Sequence, residues 1–274
     1  MQAMLDHHRD GGPFTPYIGG EEIPATLLPS TTRRTAQAPL EPVVFLPGLL
    51  CDQSLWRSQI DALADRCAPF VADLTLDDDI AAMAVRTLAA APPSFSLVAL
   101  SMGGYVALDI MRQAPERIRR LALIDTSARA DTPERTHERL RGIQSLERGR
   151  FLGVSRPLLR NLVHRNHWED DVATAMQAMA GRVGKTAFLR QQRAIMNRPD
   201  SRGHLGDIAV PTLIVVGRQD RITPVDHARE LHDAIPGSSF HIFDQCGHMA
   251  ALEEPERING LLREWLDLTA SKVR

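Results

Sequence analysis

The chain has 274 residues, of which 43% are hydrophobic and 24% are charged, and its formal net charge at pH 7 is −2. Such a length and composition are typical of one large globular domain with a substantial buried core. The balanced charge excludes a general electrostatic attraction to polyanions, so we expect no nucleic-acid partner.

The cysteines and the apolar stretches indicate the compartment. Cys51, Cys67 and Cys246 are widely spaced and odd in number, which argues against a disulfide framework and favours a reducing compartment. No stretch approaches the roughly 18 uninterrupted apolar residues of a membrane span. The first residues also lack the apolar centre of a secretory signal. We therefore expect a cytoplasmic protein with no membrane association.

The N-terminal part and the rest of the chain have different patterns. Residues 1–40 are rich in Gly, Pro, Thr and charge, and they predict a mostly irregular arm with at most one short edge strand. Residues 41–274 are predicted to form the main domain, in which apolar, β-branched runs alternate with amphipathic segments. Strands are predicted at 43–46, 70–74, 95–100, 118–124, 211–216 and 239–243, and helices at 54–66, 77–90, 103–113 and 255–268.

This alternation predicts an α/β fold with a mostly parallel sheet that is covered by helices on both faces. In such sheets the active site lies at the carboxyl ends of the strands. Only residues about 129–202 break the alternation, because their periodicity is helical throughout. They begin with Thr132 and Pro133, residue types that favour a helix start. We predict a helical cap here, inserted between two strands and lying over the strand ends.

The predicted cap is basic. Residues 129–202 hold 15 Lys and Arg against 8 Asp and Glu, although the whole chain is slightly acidic. A basic cap over a catalytic mouth favours a substrate that bears a carboxylate or phosphate, or an acidic carrier protein. The plainer interpretation is a set of solvated arginine-rich helix faces.

Ser101 stands where a predicted strand meets a predicted helix, in the segment 99–104 with the sequence ALSMGG. This is nearly the G-x-S-x-G nucleophile elbow, with Ala99 in place of the first glycine. The sharp turn requires small residues two positions before and after the serine, and alanine is small enough. The elbow points the hydroxyl outward and places the Met102 N–H at a helix N-terminus, where it can donate to an oxyanion.

A serine hydroxyl becomes a good nucleophile only when a base, itself oriented by an acid, removes its proton. Asp220 and His248 each follow a predicted strand, in the chain order Ser–Asp–His that such elbows require. Both therefore lie at the same edge of the sheet as Ser101. We predict Ser101 as the nucleophile, His248 as the general base and Asp220 as the acid.

Two other acids and a second oxyanion donor need consideration. Asp125 also ends a predicted strand, and Asp244 lies four residues before His248, so both remain alternatives for the acid. The loop after the first strong strand should supply the second donor, and the N–H of Leu49 is the candidate. Gly48 permits the tight turn that this loop needs.

Other chemistry-bearing residues have plainer interpretations. His164 and His167 are spaced to share a helix face near two aspartates, and we interpret them as a solvated face rather than a metal site. Cys51 and Cys246 lie near the predicted site and are interpreted as small buried packing residues. No metal and no cofactor are expected.

Taken together, the elbow, the segment 217–220 (GRQD) and the segment 246–249 (CGHM) resemble the α/β-hydrolase superfamily over about residues 42–268. The chain is similar to capped members that include carboxylesterases, carbon–carbon bond hydrolases and cofactor-free perhydrolases. Two features depart from the family pattern. Pro47 stands where many members have histidine, and the two leading antiparallel strands are not evident in residues 1–40, so a shortened sheet is expected.

The resemblance and the site residues together favour a carboxylesterase that cleaves small or medium esters through an acyl-enzyme on Ser101. The substrate is expected to be a small-molecule ester, with an anionic one favoured by the basic cap. A carbon–carbon bond hydrolase, a lyase, a thioesterase or a perhydrolase would use the same three residues. A non-catalytic ligand-binding homologue is a further alternative, although it would not need all three. The oligomeric state stays open.

Overall fold

The computed structural model describes residues 17–18, 21–22 and 40–268. The chain divides into two compact units, residues 1–39 and 40–274. In the first unit, strands β1 (Tyr17–Ile18) and β2 (Glu21–Glu22) pair antiparallel with each other, so the arm contains two short strands where the sequence predicted at most one. The rest of the predicted N-terminal arm lies outside the described residues, so its irregular character stays a prediction.

The second unit is built on a six-stranded parallel sheet with the strand order β4-β3-β5-β6-β7-β8. Its strands are β3 (Glu41–Leu46), β4 (Cys67–Val71), β5 (Phe95–Leu100), β6 (Ile118–Ile124), β7 (Thr212–Gly217) and β8 (Ser239–Phe243). The register pairs the last residues of neighbouring strands, Leu100 with Ile124 and Gly217 with Phe243. The loops that follow these strands therefore meet at one edge of the sheet.

Helices cover both faces of this sheet, which confirms the predicted fold class. They are α1 (Arg57–Ala62), α2 (Ile80–Ala90), α3 (Met102–Gln113), α4 (Pro133–Arg148), α5 (Arg156–Leu162), α6 (Asp171–Met196), α7 (Val225–Ala234), α8 (Ala250–Glu253) and α9 (Pro255–Asp267). None of the helices in the described part of the chain is long and apolar enough to cross a lipid bilayer.

The central strands are apolar along most of their length because each face of the sheet packs against its own helices. On β3, Val44 and Leu46 enter one core with residues of α2, α3 and α7. Val43 and Phe45 enter the opposite core with residues of α1 and α9. Both cores contain fully buried side chains, so the continuous apolar runs in the sequence report burial on two faces.

The segment between β6 and β7 is helical and consists of α4, α5, α6 and two short 3₁₀ turns. Helix α4 begins as predicted, with Pro133 in its first turn and the Thr132 side chain accepting a hydrogen bond from the Arg135 N–H at 3.3 Å. Helix α6 changes direction at Gly184, whose φ is 74°. We call α4, α5 and α6 the cap helices; the limits predicted for the cap and the arm stay predictions.

Most elements differ from their predicted limits by one to three residues at an end, and two of them differ in a way that packing explains. Strand β4 covers Cys67–Val71 rather than 70–74, because its ladder with β3 begins at Cys67 and ends at Val71. Ala72 and Leu74 are buried beyond the strand end, so their apolar character reports core packing. The predicted helix at 54–66 is a 3₁₀ turn followed by the shorter α1, since residues 63–66 turn into β4.

Candidate active site

The backbone around Ser101 forms a sharp, strained elbow. Ser101 has φ 54° and ψ −115°, a conformation that non-glycine residues rarely adopt. Hydrogen bonds fix it: the Ser101 N–H donates to the Ile124 carbonyl at 3.0 Å, and the Thr126 hydroxyl donates to the Ser101 carbonyl at 2.7 Å. A Cβ on Gly103 would overlap the Leu46 carbonyl, so the glycine after the serine is required by close packing of α3 on β3.

The structure brings Ser101, His248 and Asp220 into one chain of hydrogen bonds. His248 Nε2 lies 2.8 Å from Ser101 Oγ, and His248 Nδ1 lies 2.8 Å from Asp220 Oδ2. Because β5, β7 and β8 end at the same edge of the sheet, residues far apart in sequence meet there. All three side chains are buried, and Ser101 is the most exposed of them at 8%.

Asp220 is held in place by several donors. Its Oδ1 accepts the N–H groups of Ile222 and Thr223, at 2.8 and 3.0 Å, and its Oδ2 accepts the Thr223 hydroxyl at 2.8 Å. Thr223 is fully buried, and its hydroxyl also lies 3.3 Å from His248 Nδ1. The sequence indicated only a turn before Pro224 here, so the contribution of Thr223 to the site was missed.

The pKa values at the site shift in opposite directions. Burial alone would raise the pKa of Asp220, but the charge of His248 and the hydrogen bonds hold it below its usual range. Burial alone would lower the pKa of His248, but the carboxylates of Asp220 and Asp125 outweigh burial and raise it. The arrangement therefore keeps Asp220 ionised and strengthens His248 as a base.

The two alternative acids do not contact His248. Asp125 is fully buried, and its two oxygens accept the N–H groups of Gly217 and Ala250 at 2.9 and 2.8 Å. It thereby joins the end of β7 to the start of α8. Burial, with the nearby charge of Asp220, raises the pKa of Asp125. Asp244 is largely exposed and pairs with Arg218, so Asp220 is the acid that the geometry favours.

The two candidate oxyanion donors are the N–H of Met102, the residue after Ser101, and the N–H of Leu49, which lines the same cavity as Ser101. Met102 is the first residue of α3, so its N–H has no acceptor within the helix. Leu49 follows the β3 turn, and its N–H donates to no other residue that the structure describes. The next residue, Leu50, has φ 60°, which turns the chain sharply after Leu49. Leu49 and Ser101 both line the same cavity.

A buried glutamine of the cap, Gln191 on α6, holds the loop of residues 47–50, which carries the candidate donor Leu49 and which we call the oxyanion loop. Its side-chain oxygen accepts the Leu50 N–H at 3.1 Å, and its side-chain nitrogen donates to the Leu74 carbonyl at 3.1 Å. Gln191 has no exposed surface. Gln191 thereby steadies the loop that contains Pro47 and Leu49. Nothing in the sequence indicated Gln191, because its partner Leu50 lies 141 positions away.

Replacing Gln191 by leucine should lower kcat for ester hydrolysis by about 10- to 100-fold with little change in KM. Loss of one oxyanion donor costs about 10²–10³-fold in kcat, and here the donor is displaced rather than removed. Steady-state kinetics check the split between kcat and KM. Gln113→Leu is the matched control, because Gln113 is a half-buried helical glutamine that binds Asp109 instead. Equal losses in both variants would contradict the positioning role.

Glu253 on α8 links the cap to the loop of residues 244–249, which carries His248 and which we call the histidine loop. Its carboxylate accepts the N–H groups of Gly247 and Met249, at 2.9 and 3.0 Å, on either side of His248. It also accepts the His164 N–H at 2.8 Å, and the His248 N–H donates to the Leu162 carbonyl at 2.7 Å. The cap therefore helps to fix the backbone on which His248 stands.

The cysteines near the site are buried thiols. Burial raises the pKa of Cys51 to about 12, and burial together with the charge of Asp125 raises the pKa of Cys246 further. Both thiols are therefore protonated at neutral pH and poor nucleophiles. Of the predicted solvated pair, His167 bonds Asp170 at 2.7 Å, and His164 Nδ1 accepts the Asn166 N–H at 3.4 Å.

A cavity of about 200 Å³ opens above Ser101 and His248. The cap helices supply an apolar wall together with the loop that joins α4 to α5. This wall consists of Val154, Leu158, Leu162, Met176, Met179 and Phe188. Polar groups are concentrated at Ser101 and His248 and at a second place, where Arg139 and Gln192 line the same cavity. Such an enclosed apolar pocket with few polar groups is typical of a small-molecule site.

Curated relatives include hydrolases of two kinds. The chain is 30% identical over 176 residues to a 2-hydroxy-6-oxononadienedioate/2-hydroxy-6-oxononatrienedioate hydrolase of Burkholderia vietnamiensis, a match that covers 62% of this chain and 61% of the relative. It is 26% identical over 238 residues to a pimeloyl-[acyl-carrier protein] methyl ester esterase of Nitrosomonas europaea, covering 78% of this chain and 91% of the relative. The first match thus spans less than two thirds of that relative's length.

Solved structures share the fold. A thermophilic esterase from Thermogutta terrifontis, solved with malate bound, superposes with a TM-score of 0.77 and 26% identity, over 85% of this chain and 91% of the esterase. The enol-lactonase from Burkholderia xenovorans has a TM-score of 0.75 and 19% identity, over 85% of this chain and 94% of the lactonase. The sequence model of the alpha/beta hydrolase family matches residues 43–261. With this match over most of its length, the chain belongs to the alpha/beta hydrolase family.

Proposed function

We propose that the protein is a carboxylesterase that hydrolyses small or medium esters through an acyl-enzyme on Ser101. The observation that carries this proposal is the hydrogen-bonded chain of Asp220, His248 and Ser101 at the floor of an apolar cavity. Membership of a hydrolase family supports it. No cofactor is required, because the three side chains and two backbone N–H groups supply every proton transfer and charge that ester hydrolysis needs.

In the acylation half, Ser101 Oγ attacks the ester carbonyl carbon while its proton passes to His248 Nε2, 2.8 Å away. The carbonyl oxygen becomes an oxyanion that accepts hydrogen bonds from the Leu49 and Met102 N–H groups, each worth about 3–4 kcal/mol in the transition state. The C–O bond to the alcohol then breaks, and His248 returns the proton to the departing alkoxide. Asp220 holds the imidazole in the required tautomer and stabilises its charged form.

In the deacylation half, His248 takes a proton from water, whose oxygen attacks the acyl carbon of the ester on Ser101. The same two N–H groups hold the second oxyanion. When the bond to Ser101 Oγ breaks, His248 returns the proton to that oxygen and the carboxylic acid leaves. The raised pKa of His248 suits both transfers, since a stronger base removes each proton more readily.

The cavity supports substrates of limited size. Its volume of about 200 Å³ is below the range of about 300–1,000 Å³ found for sites that hold drug-sized ligands. The wall from the cap is apolar, so an acyl chain of modest length fits it better than a polar group does. We propose the cytoplasm as the compartment, because all three cysteines are free and buried.

Carbon–carbon bond hydrolysis is the second candidate, supported by the relatedness to the Burkholderia vietnamiensis hydrolase. Ser101 would add to a ketone carbonyl while His248 takes its proton, and the carbon–carbon bond that breaks would release a carbanion that receives this proton from His248. The two substrates therefore differ in the leaving group that His248 must protonate, which is an alkoxide for an ester and a carbanion for a carbon–carbon substrate. Thioesterase, perhydrolase and non-catalytic binding would each give a different result in the experiment below.

Burst kinetics with 4-nitrophenyl esters test the proposal. We expect a rapid release of about one equivalent of nitrophenolate per chain, followed by slower turnover, because the acyl-enzyme accumulates on Ser101. Vinylogous 1,5-diketones, thioesters and peroxide with a free acid are assayed in parallel. Faster turnover of any of these than of every ester would replace the carboxylesterase assignment, and a folded protein that turns over none would contradict catalysis altogether.

A further inference from the structure

The cavity above Ser101 has a second polar place besides the catalytic residues. Arg139 on α4 and Gln192 on α6 both line it, and Arg139 Nη1 donates to Gln192 Oε1 at 2.6 Å. Among the described residues that line the cavity, Arg139 is the one Lys or Arg, and none is Asp or Glu. The cavity therefore presents a positive group to whatever occupies it, beside an apolar wall.

The charges behind Arg139 do not balance. Asp131, whose side chain is fully buried, pairs with Arg139 Nε at 2.6 Å through one oxygen and with Arg198 Nη1 at 2.8 Å through the other. Across the described residues no other acid lies within ion-pair distance of these two arginines. One carboxylate is thus shared by two guanidinium groups, which leaves a net positive charge at the cavity wall. A positive charge that is only partly exposed to water favours an anion that would neutralise it.

The Arg198 side chain is held by contacts with the protein, so Arg139 is the arginine of the two that can bind a ligand. The Arg198 side chain is 4% exposed, donates to the Arg129 and Ile195 carbonyls, and lies over the Tyr105 ring at 4.3 Å. The Arg139 side chain is 21% exposed. Its Nη2 makes no hydrogen bond to any residue within the described ranges, so one guanidinium N–H₂ group is available.

Gln192 offers a second donor beside the first. Its oxygen is occupied by Arg139, so its amide nitrogen is the atom left to bind a ligand, and this nitrogen has no hydrogen-bond partner in the described part of the chain. Because Arg139 Nη1 bonds Gln192 Oε1, the remaining guanidinium nitrogen and the amide nitrogen belong to two side chains in contact, and together they can bind the two acceptor oxygens of one carboxylate. The buried Asp131 holds the guanidinium in place, so the pair is preorganised.

We propose that Arg139 and Gln192 form a carboxylate-binding subsite, so that the protein prefers monoesters of dicarboxylic acids. The ester carbonyl of such a substrate lies at Ser101, its methylene chain lies along the apolar wall, and its free carboxylate binds Arg139 and Gln192. This inference rests on the proposed esterase function. It locates the attraction of the basic cap in one arginine, whereas the cap arginines Arg182 and Arg193 pair with acids at the surface.

The test compares two series of 4-nitrophenyl esters of equal chain length, the monoesters of linear dicarboxylic acids and the neutral esters of linear alkanoic acids. The wild-type protein should favour the matching dicarboxylic monoester by about 10- to 100-fold in kcat/KM, the usual value of charge-assisted hydrogen bonds. Arg139→Met should remove that preference by lowering kcat/KM for the charged series. Asp131 keeps its Arg198 partner in this variant, so the buried carboxylate stays paired.

The controls separate the subsite from general charge and from structure. Arg141→Met removes the same charge from an exposed position of the same helix and should leave both series unchanged. Arg139→Lys, which keeps the charge, should retain part of the preference, and Gln192→Leu should lose part of it. Equal losses on both ester series in Arg139→Met, or no preference in the wild type, would overturn the subsite while leaving the esterase function intact.

A binding measurement keeps the subsite testable if turnover fails. The free dicarboxylic acids are products of the proposed reaction, and their dissociation constants can be measured by calorimetry without any catalysis. We expect Arg139→Met to weaken their binding by about 10- to 100-fold, as for the esters. If the wild type hydrolyses neither ester series, the proposed function fails, and this comparison alone decides the subsite. Equal affinities of wild type and variant would overturn it.

Discussion

Ser101→Ala is expected to lower kcat/KM for ester hydrolysis on the order of 10⁵-fold while the protein stays folded. In the proposed mechanism the hydroxyl forms the acyl-enzyme, and its hydrogen-bonded partner His248 has nothing to deprotonate in the variant except water. The oxyanion donors and the cavity remain, so a small residual rate is expected. Steady-state hydrolysis of a 4-nitrophenyl ester, with circular dichroism and thermal unfolding on the same sample, measures both parts.

Ser96→Ala provides the matched control for that substitution. Ser96 is fully buried on the same strand, but its hydroxyl donates to Glu41 near the other end of β5. Its loss should therefore affect stability more than rate. A Ser101→Ala protein that hydrolyses esters at the wild-type rate would refute the nucleophile assignment, and a Ser96→Ala protein with the same large loss of rate would show that strand packing is responsible.

Asp220→Asn is expected to lower kcat/KM by about 10⁴-fold, because an amide presents the wrong hydrogen-bonding pattern to His248 Nδ1 and leaves the imidazole in the wrong tautomer. The pH profile should shift as well. Activity requires neutral His248, so the acidic limb follows the pKa of His248, which nearby carboxylates raise. Removing the Asp220 charge destabilises the imidazolium, so the pKa of His248 falls and the limb moves to lower pH.

The other two acids supply the comparison. Asp244→Asn changes an exposed residue that pairs with Arg218, and it should alter neither the rate nor the pH profile. Asp125→Asn leaves a buried amide facing the Gly217 and Ala250 N–H groups, so it should lower the melting temperature. The expected order of rate losses is Asp220, then Asp125, then Asp244. A larger loss of rate for Asp125 than for Asp220 would reverse the assignment of the acid.

Much of the fold was predictable because each strand carries its own local signal. The buried strands β5, β6 and β7 are apolar at nearly every position, and each is followed by a turn or a helix start. The parallel direction of the strands then follows, because each intervening helix returns the chain to the same end of the sheet. Strand β4 was misplaced because the apolar residues Ala72 and Leu74 are buried outside the ladder.

The meeting of Ser101, Asp220 and His248 was predictable for the same reason, since all three follow strands whose carboxyl ends share one edge. The supporting contacts were not. Gln191 reaches the oxyanion loop, and Glu253 reaches both the histidine loop and the cap, through contacts between distant parts of the chain. A polar residue on a helix has no sequence signature for such a partner. The shared carboxylate Asp131 likewise depends on how α4 packs against α6.

Labelling with a fluorophosphonate probe tests the central claim most directly, because the probe reacts with a serine only when a base activates it and an oxyanion site accepts its phosphonyl oxygen. We predict about one equivalent of label per chain in the wild type, and peptide mass spectrometry should locate it on Ser101. Labelling should be lost in Ser101→Ala and strongly slowed in Asp220→Asn. A folded wild-type protein that stays unlabelled, or a label attached to another residue, would contradict the account.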